Sequence, residues 1–265
     1  MFFDKILYME NKKQNIYIFE TLKESWNIFI KNWKKILPVT VAFGVLLFLL
    51  SNIQQYFSHQ WFSSFITNVL SFFVQIFITM GYLNMVLYVI RGKDFEWKNI
   101  YEKSNRFLHY IGATILVSIA MALSFVPSVL LMIVFWKFGD ASLFLRVSMS
   151  VLSALFALAS FVFVVSRLYF FQFFTIDTDL LVLDIVKTTW RSTKGKNTQI
   201  FSIIIFALIL NILGMLAFGV GLLVSVPISV IMLGLVYQNV SGHINHDDSI
   251  VPEIRGEELT SGEGN

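Results

Sequence analysis

Three charged residues, Arg167, Asp177 and Asp179, are the best placed for a specific polar site, because they flank the end of a long apolar stretch. An arginine near a membrane surface can pair with a nearby carboxylate and fix the following helix. It can also hold a lipid phosphate, or it can simply extend its guanidinium into the headgroups. The sequence leaves these three roles of Arg167 open.

Signals for catalysis or metal binding are few. The chain contains no cysteine, which excludes disulfides, thiolate metal sites and cysteine nucleophiles. His243 and His246 have a spacing that could share a metal on a helix, but no further ligands accompany them. The sequence shows no glycine-rich phosphate loop, no HExxH and no serine nucleophile elbow. We therefore expect no enzymatic activity, no metal and no cofactor.

Amide side chains are the strongest polar groups inside the apolar stretches: Asn68, Gln75, Asn84 and Asn211. They could form hydrogen bonds between helices, each contributing about 1 kcal/mol, or they could line a polar path across the membrane. Proton-coupled transporters usually carry ionisable residues in mid-membrane, and we place no Asp, Glu, Lys, Arg or His in the middle of a predicted span.

The composition indicates a multi-pass membrane protein. Hydrophobic residues make up 56% and charged residues 14% of the 265 positions, whereas soluble domains carry about 25% charged residues. The sequence predicts an all-α protein with one membrane domain at 16–240, a segment at 1–15 before it and a disordered cytoplasmic tail at 241–265. Pro127 and Pro227 should kink two of the spans. Six spans are predicted, at 36–56, 62–90, 108–136, 147–174, 200–218 and 222–240.

An amphipathic segment precedes each pair of spans. In the first segment, apolar residues recur at helical spacing from Ile18 to Trp33, opposite lysines. Such patterns are typical of helices lying in the membrane interface. We therefore predict three hairpins, each preceded by a cytoplasmic interfacial helix. The basic and aromatic residues expected at the interface are Trp26, Lys31, Trp33, Lys34, Trp97, Lys98, Lys187, Trp190 and Arg191.

The basic residues orient the predicted topology. Eighteen of the 20 Lys and Arg residues fall in the amphipathic segments or near the termini, and only Lys137 and Arg146 fall on the other side. By the positive-inside rule, both termini and all three amphipathic segments are cytoplasmic. This asymmetry predicts anionic phospholipids as partners. The chain could also associate with further copies of itself or with other membrane proteins. We do not expect it to bind nucleic acid.

Two segments show an internal similarity. Aligned without gaps, 20–37 and 184–201 share Lys23 with Lys187, Trp26 with Trp190, and Ile36 with Ile200. A segment from Asp94 has the same layout with less residue similarity. The pattern is consistent with three repeated units, or with three unrelated lead-ins to spans.

Five parts of the chain carry a family resemblance: LKESWNIFIKNWKKIL, GYLNMVLYVIRGKDFEWKNIY, a span broken at VPSVLL, DIVKTTWRSTKGK and LGMLAFGVGLLVSVPISVIMLGLVY. The chain resembles the bacterial YciC-like integral membrane proteins and the membrane domain fused to some glycerophosphodiester phosphodiesterases. The resemblance implies a six-helix protein of the bacterial inner membrane. It does not imply phosphodiesterase activity, because that activity belongs to a separate soluble barrel.

Two classes of function follow from the sequence. The favoured class is a non-enzymatic membrane protein that organises lipid or scaffolds partners through its basic interfacial helices. The alternative is a small-molecule transporter or permease component, in which the intramembrane amides line a path. A cavity reaching Asn84 and Asn211 would favour transport, and a solid bundle with a basic amphipathic collar would favour the first class.

Overall fold

The computed structural model describes residues 17–58, 60–137, 143–217 and 219–242, without the side chains of 135–137 and 143–146. Several predictions therefore lie outside the described residues. They are those for the segment 1–15, for His243, His246 and the tail beyond 242, and for the side chains of Lys137 and Arg146.

Every regular element in the described ranges is a helix, as predicted. Six stretches are long and apolar enough to cross a membrane, and the third and fourth of them each contain two α-helices. Two 3₁₀ turns, Trp97–Tyr101 and Ser104–Arg106, lie between the helix that ends at Ile90 and the helix that begins at Phe107. The α-helices are α1 (Ile18–Tyr56), α2 (Trp61–Ile90), α3 (Phe107–Leu123), α4 (Val126–Lys137), α5 (Leu143–Leu168), α6 (Phe171–Asp177), α7 (Val182–Ser192), α8 (Asn197–Leu216) and α9 (Leu222–Ser241).

The first amphipathic segment is not a separate helix, which differs from the prediction. Helix α1 has 39 residues and continues through Pro38 into the first span. At about 1.5 Å per residue it is roughly 58 Å long, nearly twice the ~30 Å hydrocarbon thickness. Its N-terminal part packs on the hairpin of α8 and α9, where the Phe19 and Phe206 ring centroids are 6.4 Å apart. Intramolecular packing therefore buries Phe29 of the apolar stripe against α9, whereas the other residues of the stripe stay at least partly exposed.

The two predicted kinks have different outcomes. The third span is interrupted before Pro127, because α3 ends at Leu123 and α4 begins at Val126. Proline lacks an N–H and disfavours helical backbone in the residue before it, so it suits the start of a new helix. Helix α9, in contrast, continues through Pro227 without interruption.

Helices α2 and α9 form the centre of the bundle. In the most apolar part of each span, 56% of the residues are buried in α2 and 61% in α9, against 6% in the span formed by α5 and α6. The main core cluster joins the second half of α2, the start of α3, α6 and the second half of α9. It includes Tyr237, Phe170 and Phe174, which are almost completely buried. The core therefore lies toward one end of the bundle, and the other end exposes a broad apolar surface.

Close backbone contact shapes the hairpin of α8 and α9. The chain turns between them at Gly219, whose φ of 75° favours glycine. A Cβ added at Gly221 would lie 2.5 Å from the Gly214 carbonyl oxygen, so the two helices approach each other through glycines. Glycine at these positions therefore permits both the turn and the close packing of α8 on α9.

Candidate functional site

Asp177 joins the ends of three spans at the end of the bundle that carries Arg91, Arg106 and Arg167, here called the basic end. Its Oδ2 accepts a hydrogen bond from Arg91 Nη2 at 2.6 Å and another from the Tyr237 hydroxyl at 2.8 Å. Arg91 directly follows α2, Asp177 ends α6, and Tyr237 lies in the last turns of α9. The hydrogen bond that Arg91 donates to Asp177 raises the pKa of the guanidinium. The guanidinium therefore stays charged near neutral pH.

Aromatic rings hold Tyr237 in place. Its ring stacks on Phe173 with centroids 5.2 Å apart and meets the edge of Phe174 at 4.9 Å. The ring is fully buried while its hydroxyl reaches Asp177. A buried tyrosine generally needs such a partner for its hydroxyl, so the packing of α6 on α9 also fixes the carboxylate.

Arg106 is a second buried charge at the basic end. It is 6% exposed, and its guanidinium donates to the carbonyls of Thr175, Thr178 and Leu180, the last at 3.0 Å. These carbonyls lie at the C-terminal end of α6, where backbone acceptors lack helical partners and a cation is favoured. Arg106 thus caps α6, and its Nη1 also lies 3.8 Å from Asp179 Oδ1.

An ion pair of Arg167 with Asp177 or Asp179, one of the three roles that the sequence leaves open, is absent from the part of the chain that the structure describes. The two carboxylates lie next to Arg91 and Arg106 instead. Arg167 lies between the rings of Phe163 and Trp190, with its guanidinium carbon 5.4 and 5.5 Å from the two centroids. The physical reason is the turn at 169–170 that separates α6 from α5 and places Asp177 beside α2 and α9. The predicted headgroup role of Arg167 stays a prediction.

Helix α7, the third amphipathic segment, packs one face on the bundle and leaves the other exposed. Ile185 and Thr189 are fully buried against the bundle. Leu183 and Trp190 are 61% and 40% exposed. Together with Lys187 they occupy positions i, i+4 and i+7, which share one helix face. Helix α7 therefore carries an outward face that combines apolar, aromatic and basic side chains, and Arg191 and Lys194 are exposed beside it.

The second amphipathic segment forms 3₁₀ turns instead of a surface helix. Ile100 is buried against α2, whereas Trp97 and Tyr101 are more than half exposed. Lys98 is exposed and pairs with Glu96 at 2.8 Å, a contact that is worth little in water. Nearby, the hydrogen bond from Lys35 to Asp94, 2.9 Å long, lowers the pKa of Asp94.

The basic residues of α1 are spread along the helix. Lys31 and Lys34 are exposed, as are Trp26 and Trp33. Lys23, however, lines a groove with Gly214 and Gly221, next to the turn between α8 and α9 at the far end of the bundle. The first segment therefore does not join the other two at the basic end over its whole length.

The four intramembrane amides have separate surroundings. Asn84 is buried, and its Nδ2 donates to the Asn99 carbonyl at 2.6 Å, which attaches the 3₁₀ turn to α2. Asn68 accepts a hydrogen bond from Gln54 at 3.2 Å, linking α1 to α2 at the other end. Gln75 is exposed, and Asn211 Oδ1 is buried without a partner in the described part of the chain. The structure does not bring these residues together into one path.

Two cavities adjoin the core. An apolar cavity of about 410 Å³ lies between α1, α2, α6 and α9, with Thr40, Tyr82, Tyr169 and Gln172 as its main polar residues. A polar cavity of about 590 Å³ opens at the basic end and is lined by Arg91, Asp177, Asp179 and Tyr237, among others. Neither cavity is lined by Asn84 or Asn211.

No family model, curated protein or solved structure matches this chain. The resemblance to the YciC-like proteins therefore stays a prediction. Among the described residues, no group of three or more His, Asp or Glu side chains could hold a metal ion.

Sequence reasoning missed Arg91 and Arg106 as site residues. A usable signal was present, because Arg91 and Asp177 both end an apolar span and carry opposite charges. Opposite charges at the same depth of a bundle are natural partners. Arg106 likewise stands directly before an apolar helix, where burial of its stem could have been expected.

Proposed function

We propose that this chain is a non-enzymatic multi-pass protein of the bacterial inner membrane that binds anionic lipid at its basic end. The observation that carries the proposal is the outward face of α7. Leu183, Lys187 and Trp190 share that face, and the opposite face of the helix is buried in the bundle. This arrangement offers apolar contact to acyl chains and positive charge to headgroups at one depth.

Further support comes from exposed aromatics near the same end. Trp97 and Tyr101 are more than half exposed beside Lys98, and indole and phenol rings favour the headgroup level of a bilayer. The chain would thereby gather anionic lipid around α7 and present the same surface to partner proteins. The predicted cytoplasmic orientation places this surface on the inner leaflet.

The test is lipid analysis of the purified full-length protein. A triple variant, Lys187→Gln with Arg191→Gln and Lys194→Gln, should lose at least about half of its co-purified anionic lipid, because each near-surface charge contributes up to ~1 kcal/mol. The matched control, Lys187→Arg with Lys194→Arg, keeps the charge and should keep the lipid. Equal anionic lipid in all three proteins at low and at high salt would contradict the proposal.

Transport of a small molecule is the second candidate, and the apolar cavity favours it. Its volume of about 410 Å³ is in the range of ligand sites. Its lining is mainly leucine, valine and aromatic residues, so an apolar solute would fit better than a polar one. Uptake or efflux of an apolar dye that Leu223→Trp blocks, with unchanged co-purified lipid, would favour transport over lipid binding.

A further inference from the structure

The polar cavity at the basic end differs in charge from the surfaces around it. Arg91, Asp177 and Asp179 line it together with the polar side chains of Thr178, Thr188 and Gln238. Arg106, the nearby fourth charge, directs its guanidinium to backbone carbonyls and is 6% exposed. The accessible charges in the cavity are therefore one guanidinium and two carboxylates.

These charges are available to a ligand to different degrees. The Asp179 side chain is 91% exposed, and its nearest described cation lies 3.8 Å away. The Asp177 side chain is 18% exposed and already accepts two hydrogen bonds on Oδ2. The Arg91 side chain is 37% exposed and uses one donor on Asp177, while a guanidinium carries five N–H donors. The cavity thus offers an open carboxylate and the remaining donors of an arginine.

The position of the cavity sets the kind of molecule that can reach it. It opens where α6 and α9 end, and its wall includes the apolar Phe174 and Leu180. Because the apolar spans end at this level, the cavity lies at the depth of lipid headgroups. A ligand there would carry its charges on a short polar head above an apolar body.

We propose that this cavity binds a phosphoethanolamine headgroup, with the primary ammonium on Asp179 and the phosphate on Arg91. An ammonium donates three hydrogen bonds to carboxylate and hydroxyl oxygens, and a guanidinium suits a phosphate. A headgroup with phosphate alone would bring its negative charge close to two carboxylates. A choline headgroup has a positive charge but no N–H donor. The cavity is therefore selective for a zwitterionic head with donors. The inference rests on the proposed lipid-binding role only in placing the basic end at headgroup depth.

Native mass spectrometry of the delipidated full-length protein tests this assignment. In the triple charge variant of α7, which lacks the proposed surface for anionic lipid, phosphatidylethanolamine should bind at least about fivefold more tightly than phosphatidylcholine or phosphatidylglycerol, because charge-assisted hydrogen bonds are the strong ones. Asp179→Asn should abolish that preference while leaving thermal stability unchanged, since the side chain is almost fully exposed. The matched control is Glu24→Gln, which removes an exposed carboxylate of α1 outside the cavity and should leave the preference intact.

The second part of the experiment uses the water-soluble headgroup compound glycerophosphoethanolamine as the ligand. Its binding would show that the headgroup chemistry suffices, and binding of the intact lipid alone would show that the acyl chains are needed as well. Equal binding of the three lipids by the triple charge variant of α7, or an unchanged preference after Asp179→Asn in that background, would overturn the assignment. The triple charge variant of α7 reports separately on the proposed function, so either idea can fail without the other.

Discussion

At the scale of single residues, the basic end depends on how one carboxylate is shared. Asp177 Oδ2 accepts from Arg91 and from Tyr237, which belong to two other spans. Removing the carboxylate leaves a guanidinium without its partner and a buried hydroxyl without its acceptor. Arg167, by contrast, is held by the rings of Phe163 and Trp190 and does not contact Asp177.

A double-mutant cycle at this scale separates the two arginines. Arg91→Ala and Asp177→Asn should couple by about 1 kcal/mol of unfolding free energy, a value kept small because Arg91 is partly exposed to solvent. Arg167→Ala and Asp177→Asn should be additive, because the two side chains share no contact. Chemical unfolding in mixed micelles measures all the variants. A coupling for Arg167 as large as that for Arg91 would contradict the structure.

At the scale of elements, small residues decide where helices meet. A Cβ added at Gly81 would lie 2.5 Å from Ile100 Cγ2, so the 3₁₀ turn Trp97–Tyr101 packs directly on the α2 backbone. Asn84, one turn further along α2, holds the same 3₁₀ turn by its hydrogen bond to Asn99. The polar 3₁₀ turns are thereby anchored on the central helix.

Gly81→Ala is therefore expected to destabilise the protein by about 1–3 kcal/mol through overpacking. The matched control is Gly44→Ala, also inside a helix but with no atom within 4 Å of the added Cβ. That control should be neutral or stabilising by up to ~1 kcal/mol, because alanine is the better helix former. Thermal unfolding in detergent measures both. In an Ile100→Ala background the cost of Gly81→Ala should largely disappear, and its persistence there would argue against this contact as the cause.

The three odd-numbered spans share a pattern of buried positions that bears on the proposed repeat. Buried or partly buried residues recur at i, i+3 and i+7 near the start of each of these spans. They are Ile36, Val39 and Phe43; Tyr110, Ala113 and Val117; and Ile200, Ile203 and Ala207. In the aligned segments before spans one and five, Ser25 and Thr189 are both fully buried, and Trp26 and Trp190 are both exposed. This agreement supports three related units as a proposal.

At the scale of the whole molecule, the core and the charge are displaced toward the same end. The buried aromatic cluster of α6 and α9 lies next to Asp177, Arg91 and Arg106, and the far end exposes apolar side chains over a wide area. Such a bundle is held together by packing and ion pairs near one membrane surface, and its apolar side chains contact lipid over the rest of its depth.

The orientation is tested by labelling single cysteines, since the native chain has none. A membrane-impermeant maleimide applied from the periplasmic side should label Ser58→Cys and Val220→Cys, because eighteen basic residues are predicted to stay inside. Ser104→Cys and Lys194→Cys, exposed at the basic end, should react only after the membrane is opened. Labelling of Ser104→Cys in intact cells would invert the predicted topology.

The sequence by itself determined the class of protein and the spans. Long uncharged stretches must form helices in a bilayer, because every backbone polar group needs a partner there. The six predicted spans accordingly coincide with helical stretches whose ends differ by a few residues, apart from the N-terminal extension of α1 and the 3₁₀ turns that precede α3. The turn at Gly219 was likewise readable, since glycine is the residue that tolerates a positive φ.

Only the tertiary structure decided which polar groups meet. Arg91, Asp177 and Tyr237 come from spans that are 60 or more residues apart, and their contact depends on how α6 packs between α2 and α9. The packing of α1 on the hairpin of α8 and α9 has the same origin. An apolar stripe has the same sequence pattern whether it faces lipid or protein, because both surroundings are apolar. The hydrophobic pattern of the sequence therefore predicts the helices, whereas their packing determines which side chains meet.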